Sequence, residues 1–103
     1  MAQKTTVDKV KVALRISHDR LDQEIADDID ACLVDLQTSA GIRRPDENDP
    51  LILAAIKNHA RANFHDDTVK AEIYRNRYEQ QRAGLSMASG YGGAGEDKAW
   101  ATM

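Results

Sequence analysis

The sequence predicts an all-α fold: a small bundle of about four helices with a flexible C-terminal tail. Three observations predict it. Apolar residues recur at three- and four-residue spacing through residues 7–36 and 51–85, the period of an amphipathic helix rather than a strand. Helix-start and helix-stop chemistry punctuates those stretches at Thr5, Asp19, Gly41, Asp49-Pro50 and Asp66-Asp67. From Gly84 onward the chain turns Gly-, Ala- and Ser-rich, with too few apolar groups to build a core of its own. A helical domain over residues 1–83 and a flexible tail over residues 84–103 are therefore expected.

The elements follow in order. Thr5-x-x-Asp8 has the form of a capping box, so the first helix is expected to begin at Thr5. Val7, Val10 and Leu14 share one face, and Ile16 precedes the break. Asp19 is placed to cap a second helix over residues 19–40. There Leu21, Ile25, Ile29, Cys32, Leu33 and Leu36 fall within about 120° of the wheel, with Gly41 positioned to close the end. Residues 42–49 form a polar loop. Asp49-Pro50 then supplies a cap and a proline at the first helical position, opening a third helix over residues 50–65. Its apolar arc is wide, from Leu51, Ile52 and Leu53 to Ala62 and Phe64, and leaves only Lys57, Asn58 and Arg61 as a polar strip. Such a helix belongs at the centre of a bundle or between subunits. Asp66 or Asp67 can cap a fourth helix over residues 68–83. It has two apolar patches, Val69 with Ile73, and Ala71 with Tyr74 and Tyr78 in line with Leu85. One patch can serve the chain's own core, which leaves the other to a neighbour.

Size points the same way. About eighty residues bury only roughly 60% of their unfolded surface, and oligomerisation is an ordinary remedy. The single cysteine, Cys32, excludes an intramolecular disulfide and a cysteine metal cluster, and its apolar neighbours suit a buried small residue. Neither an N-terminal apolar run nor a membrane-spanning stretch is present, so a reducing cytoplasm is the expected compartment. Net charge is −3, unevenly spread. Residues 1–18 carry four basic groups against one acidic (+3), residues 19–40 seven acidic against one basic (−6), and residues 68–83 four basic against two acidic (+2). An acidic block between two basic ones can match surfaces between copies of one chain.

No catalytic residue, metal ligand or cofactor is expected, and the chain does not read as an enzyme. His59, with Asn63 one turn on, lacks the nucleophile and orienting acid that a catalytic base requires, and reads as a hydrogen-bonded core or interface histidine. His65-Asp66-Asp67 has no second ligand set at helical spacing. Asp27-Asp28-x-Asp30 lacks the glycine and closing glutamate of a calcium loop. No helix joins a basic face to the short turn of a helix-turn-helix, which leaves Arg43, Arg44, Arg75, Arg77 and Arg82 as a weak patch at most. The tail, however, carries Leu85, Met87, Tyr91 and Trp100, apolar anchors suited to ordering on a partner. Candidate subunit or partner contacts are therefore Asp27, Asp28 and Asp30; Tyr74, Arg75, Tyr78, Arg82 and Leu85; and Tyr91 and Trp100.

The order of these features resembles the small head–tail connector (adaptor) family of long-tailed bacteriophages and prophages. The matching segments begin with Val10-Lys11-Val12-Ala13-Leu14-Arg15-Ile16 and His18-Asp19, then the acidic helix over residues 21–36. They continue with the Asp49-Pro50 opening of an apolar helix that closes near Ala62-Asn63-Phe64, and with Tyr78-Glu79-Gln80-Gln81-Arg82-Ala83-Gly84-Leu85-Ser86. The likeness spans about residues 7–91. It implies a helical subunit that forms a homo-oligomeric ring, typically twelvefold in the virion, docked beneath a portal protein. Such a ring extends the DNA channel and presents a platform for a downstream head-completion or tail protein. The resemblance implies neither catalysis nor a cofactor. Two other classes fit a small helical chain: a DNA-binding or DNA-packaging accessory protein, and an antitoxin-like dimer with a disordered tail.

Overall fold

The computed structural model describes residues 2–88, and within them the chain is a four-helix bundle: α1 (Lys4–Leu14), α2 (Asp22–Ser39), α3 (Pro50–Phe64) and α4 (Thr68–Met87). The all-α expectation is met. Tyr91 and Trp100 lie outside the described residues.

α3 is the hub, packed against each of the other three helices. Its wide apolar arc is the reason: Ile52, Ala55, Ile56, Ala60 and Ala62 are all buried, so no single neighbour can cover them. The two alanine positions Ala55 and Ala60 let adjacent helices come close, while Ile52 and Ile56 fill the space between. α2 contributes Ile25, Ile29, Cys32 and Leu36 to the same core, and α1 contributes Val7 and Val10. Ile42, just past α2, is buried with them.

Several helix ends follow the sequence. The Asp49 carboxylate accepts from the Leu51 and Ile52 N–H groups with Pro50 at the first helical position, and Asp67 accepts from Val69 and Lys70 in the same way. Those two backbone bonds hold the Asp67 carboxyl below its ordinary range. Gly41 closes α2 at φ +71°, a conformation that a side chain rarely tolerates, and the Ile42 N–H returns to the Leu36 carbonyl.

Other ends are made differently from the sequence expectation. α1 starts at Lys4, with Gln3 as N-cap and no local side-chain bond, so the Thr5-x-x-Asp8 box does not form. Glu47, from the loop before α3, takes the place of a local cap: one of its oxygens accepts from the Gln3 N–H at 2.7 Å and from the Thr6 hydroxyl. Nor does Asp19 cap α2, whose first residue is Asp22 and whose N-cap is Leu21. Lys11 claims Asp19 instead, with its ammonium held between Asp19 at 3.0 Å and Asp22 at 2.8 Å. That pairing ties the end of α1 to the start of α2.

α4 overturns two expectations. It runs through Gly84 to Met87, so the helical domain does not stop at residue 83. A mid-helix glycine costs about 1 kcal/mol, but continuing the helix buries Leu85, a gain of roughly 2 kcal/mol, and burial wins. The face turned inward is that of Tyr78 and Leu85, which leaves Val69 and Ile73 exposed. α3 and α4 are separate rods joined by three residues into an antiparallel hairpin. Asn58, assigned to the polar strip, is buried in it and donates to the Gln81 carboxamide oxygen at 2.9 Å.

α1 ends in a Schellman motif with Arg15 as its left-handed residue, at φ +60°, while the Ile16 N–H bonds the Lys11 carbonyl. An arginine in this conformation carries strain that glycine does not. Arg15→Gly is therefore expected to stabilise the chain by roughly 0.5–1 kcal/mol after allowing for the greater entropy of the unfolded chain. The check is a higher urea midpoint at an unchanged slope.

Candidate interaction surfaces

The residues singled out from the sequence divide between the interior and the surface. Tyr78 and Leu85 belong to the chain's own core, so neither is available to a neighbour. The Tyr78 hydroxyl donates to Asp35 on α2 at 2.5 Å, and the Arg82 guanidinium donates to the same carboxylate oxygen at 2.8 Å. Ser39 donates to the other oxygen at 2.9 Å. Asp28 also faces inward: it accepts from Asn63 at 2.6 Å and bonds the His59 ring at 3.1 Å. His59 in turn meets Tyr78 edge-to-face, with ring centroids 4.9 Å apart. A polar layer thus runs from α2 across α3 to α4 and fixes the rotation of α4 on the bundle.

Burial pushes the Cys32 thiol up to about 12, so it stays protonated and is a poor nucleophile. Burial, with the bond to Asp35, also drives the Tyr78 phenol upward. For Asp35 burial acts upward as well, but the bonds from Tyr78, Arg82 and Ser39 outweigh it and hold the carboxyl below its ordinary range. Among the described residues, no group of three His, Cys, Asp or Glu side chains is placed to hold a metal ion. No helix among them is long and apolar enough to cross a membrane.

The free surface is elsewhere, and two parts of it are complementary. The first is an open cleft of about 760 Å³ where the end of α1 faces the α3–α4 turn. Val12, Leu14 and Phe64 supply apolar lining, and Arg15, Arg61 and Lys70 line it against a single acid, Asp66. Val12 is 78% exposed there. Tyr74 stands in its wall with the Arg61 and Arg77 guanidinium groups each 5.5 Å from its ring centre, and with the His65 ring alongside. The second is the outward face of α2. Asp27 is exposed on it, bonded to Gln23, and Ala31 and Val34 make an apolar centre, with Val34 57% exposed. Asp30 is half-buried at its side. Arg75 is on neither surface but pairs with Glu72 at 3.7 Å on exposed α4.

Of the sequence candidates, then, Asp27 and Tyr74 lie on these two surfaces, while Asp28, Tyr78, Arg82 and Leu85 hold the bundle together. Val12 and Val34 were missed. Each stands on the polar side of its own helical wheel, and a valine on that side was the available signal.

No protein-family model, curated protein or solved structure matches this chain.

The Asp35 cluster sets an acid limb to stability. Because its folded carboxyl titrates below the unfolded one, its contribution is fully present above the unfolded value, about pH 4. That contribution is lost as pH falls through the folded value. Asp35→Asn is expected to lower stability at neutral pH and to make the decline below about pH 4 shallower. Denaturant midpoints collected between neutral and acid pH check both effects.

Proposed function

We propose that this chain is the structural adaptor subunit of a tailed-phage or prophage head–tail junction, forming a ring below the portal that extends the DNA channel and joins head to tail. One observation carries it: the bundle presents a basic cleft lined in part by exposed Val12 and, on different residues, a ridge along the α2 face with exposed Asp27 and Val34. Two unlike, mutually complementary surfaces on one chain make a heterologous contact, and a heterologous contact closes into a ring when its rotation permits. An isologous dimer would have to bring the cleft and the ridge into one patch across its two-fold axis, whereas a heterologous contact uses them as separate surfaces.

The order of elements supports the same assignment. The adaptor resemblance expects an acidic second helix, an apolar third helix opened by Asp49-Pro50, and a fourth helix that carries the Tyr78 to Ser86 signature. In the bundle these are α2, the hub α3 and the end of α4. The subunit's net charge of −3 suits a channel wall, because few duplex phosphates would be neutralised as DNA passes. In this account the ridge of one copy, centred on Val34, enters the cleft of the next beside Val12 and Lys70. The portal and a downstream head-completion or tail protein take the two ends of the ring. The chemistry is assembly, with no bond made or broken.

A second assignment, a small helical DNA-binding or DNA-packaging accessory protein, has one observation in its favour. Arg15, Arg61 and Lys70 beside Tyr74 form a basic surface with an aromatic side chain. It predicts duplex affinity that falls steeply with salt.

Light scattering at several protein concentrations and two salt concentrations separates the two. The adaptor should give a closed species of about a dozen copies, weakened by salt, or a monomer driven into such a species by purified portal protein. A stable dimer, or a monomer that portal protein leaves unchanged, contradicts it.

A further inference from the structure

The rotation of α4 leaves two apolar side chains that the cleft does not use. Val69 is 70% exposed and Ile73 45% exposed. They stand one turn apart on the helix whose Lys70 and Tyr74 line the cleft, so they form its outer shoulder. Two β-branched side chains on successive turns gain free energy when a neighbour covers them.

The spacing of exposed residues on α2 matches that shoulder. Lys70, Ile73, Arg77 and Gln80 step along α4 by three, four and three residues, and all are exposed. Val34, Ala31, Asp27 and Glu24 step back along α2 by the same intervals, and all are exposed. Each set falls within about 80° of its helical wheel. With Val34 of one copy beside Lys70 of the next and the two helices antiparallel, Ala31 comes to Ile73, Asp27 to Arg77 and Glu24 to Gln80. Seven residues separate Val34 from Asp27 and Lys70 from Arg77, about 10 Å of rise on either helix.

The chemistry agrees at each step. Val34 lies against the aliphatic stem of Lys70 and against Val69. Ala31 ends at its Cβ, which lets the Ile73 side chain approach the α2 backbone. The Asp27 carboxylate meets the Arg77 guanidinium, and the Glu24 carboxylate can accept from the Gln80 amide. Charge also sets the direction. A parallel α2 with Val34 at the same seat would carry Asp30 and Asp27 past Asp66 and Asp67 at the start of α4, like charge against like.

We propose that α2 of one copy lies antiparallel along the exposed shoulder of α4 in the next, with Ala31 on Ile73 and Asp27 on Arg77. This contact rests on the ring assignment and gives it a register.

Disulfide formation between copies reads that register, because a bridge needs Cα atoms about 4.4–6.8 Å apart. Ala31 and Ile73 are exposed and the native Cys32 is buried, so the added thiols are the ones that react. Under mild oxidation of the assembled species, formed alone or on purified portal protein, Ala31→Cys chains mixed with Ile73→Cys chains should give a covalent dimer. Neither variant alone should link to itself. Glu24→Cys mixed with Ile73→Cys is two turns out of register and should link several-fold less. A species of ring mass in which Ala31→Cys and Ile73→Cys stay unlinked overturns the register and leaves the ring standing. So does one in which Glu24→Cys links as readily, or in which Ile73→Cys links to itself. A chain that assembles neither alone nor on portal protein contradicts the ring assignment and this contact with it.

Discussion

The Asp35 carboxylate decides which side of α4 the rest of the protein sees. It collects a phenol, a guanidinium and a serine hydroxyl, the first two from α4. Asp35 is only partly buried, yet one of its oxygens accepts from both α4 groups, one of them charged, so the rotation of α4 that makes these bonds is preferred. That rotation carries Leu85 into the core along with Tyr78 and turns Val69 and Ile73 outward. Apolar burial alone favours the same face only modestly, since the opposite patch also offers two β-branched side chains. The hydrogen-bonded carboxylate removes the ambiguity. Once α4 is set, Tyr74 stands where Arg61 and Arg77 flank it, and the wall of the basic cleft is complete.

A second constraint builds the other wall. Lys11 reaches Asp19 and Asp22 and so fixes the turn between α1 and α2, while Arg15 accepts a left-handed conformation to end α1 sharply. The ammonium is stabilised in its charged form by Asp22 and then Asp19. These contacts hold Val12 and Leu14 across from Phe64. Asp22 at the start of α2, and Asp28 and Asp35 further along, are taken up by contacts within the chain, whereas Asp27 remains on the surface. The separation of charge between cleft and ridge follows from which acids the bundle consumes. It is not a simple copy of the charge blocks in the sequence.

Much of this was legible beforehand. The stripe Ile25, Ile29, Cys32 and Leu36 lies in the core as its spacing requires, and Asp49 and Asp67 cap their helices because a short acidic side chain before a helix has one good use. His59 is hydrogen-bonded on the α2–α3 interface. What was not legible depends on distant partners. Glu47 caps α1 from forty-four residues away from Gln3, and no local pattern announces that. Asp19 looked like a cap until Lys11 claimed it. Gly84 looked like a stop, because the burial of Leu85 that carries the helix past it depends on α3. Tyr78 and Arg82 looked like interface residues for a related reason: an amphipathic tyrosine and an arginine suit a subunit contact and a carboxylate of the same chain equally, and only the position of Asp35 separates the two.

The central claim is that the cleft of one copy receives the ridge of another, and complementation between two lesions tests it most directly. Val34→Gln removes the apolar centre of the ridge and leaves an uncharged amide that the contact would have to desolvate, and Arg15→Glu with Lys70→Glu reverses the cleft. Both sets of positions are exposed, so the bundle tolerates them. Each variant alone should lose self-association. A mixture retains one good ridge and one good cleft, and should form a complex of one chain of each kind and go no further, as read by mass across mixing ratios. A mixture that stays monomeric at concentrations where the unaltered chain assembles would contradict the heterologous contact, and with it the ring.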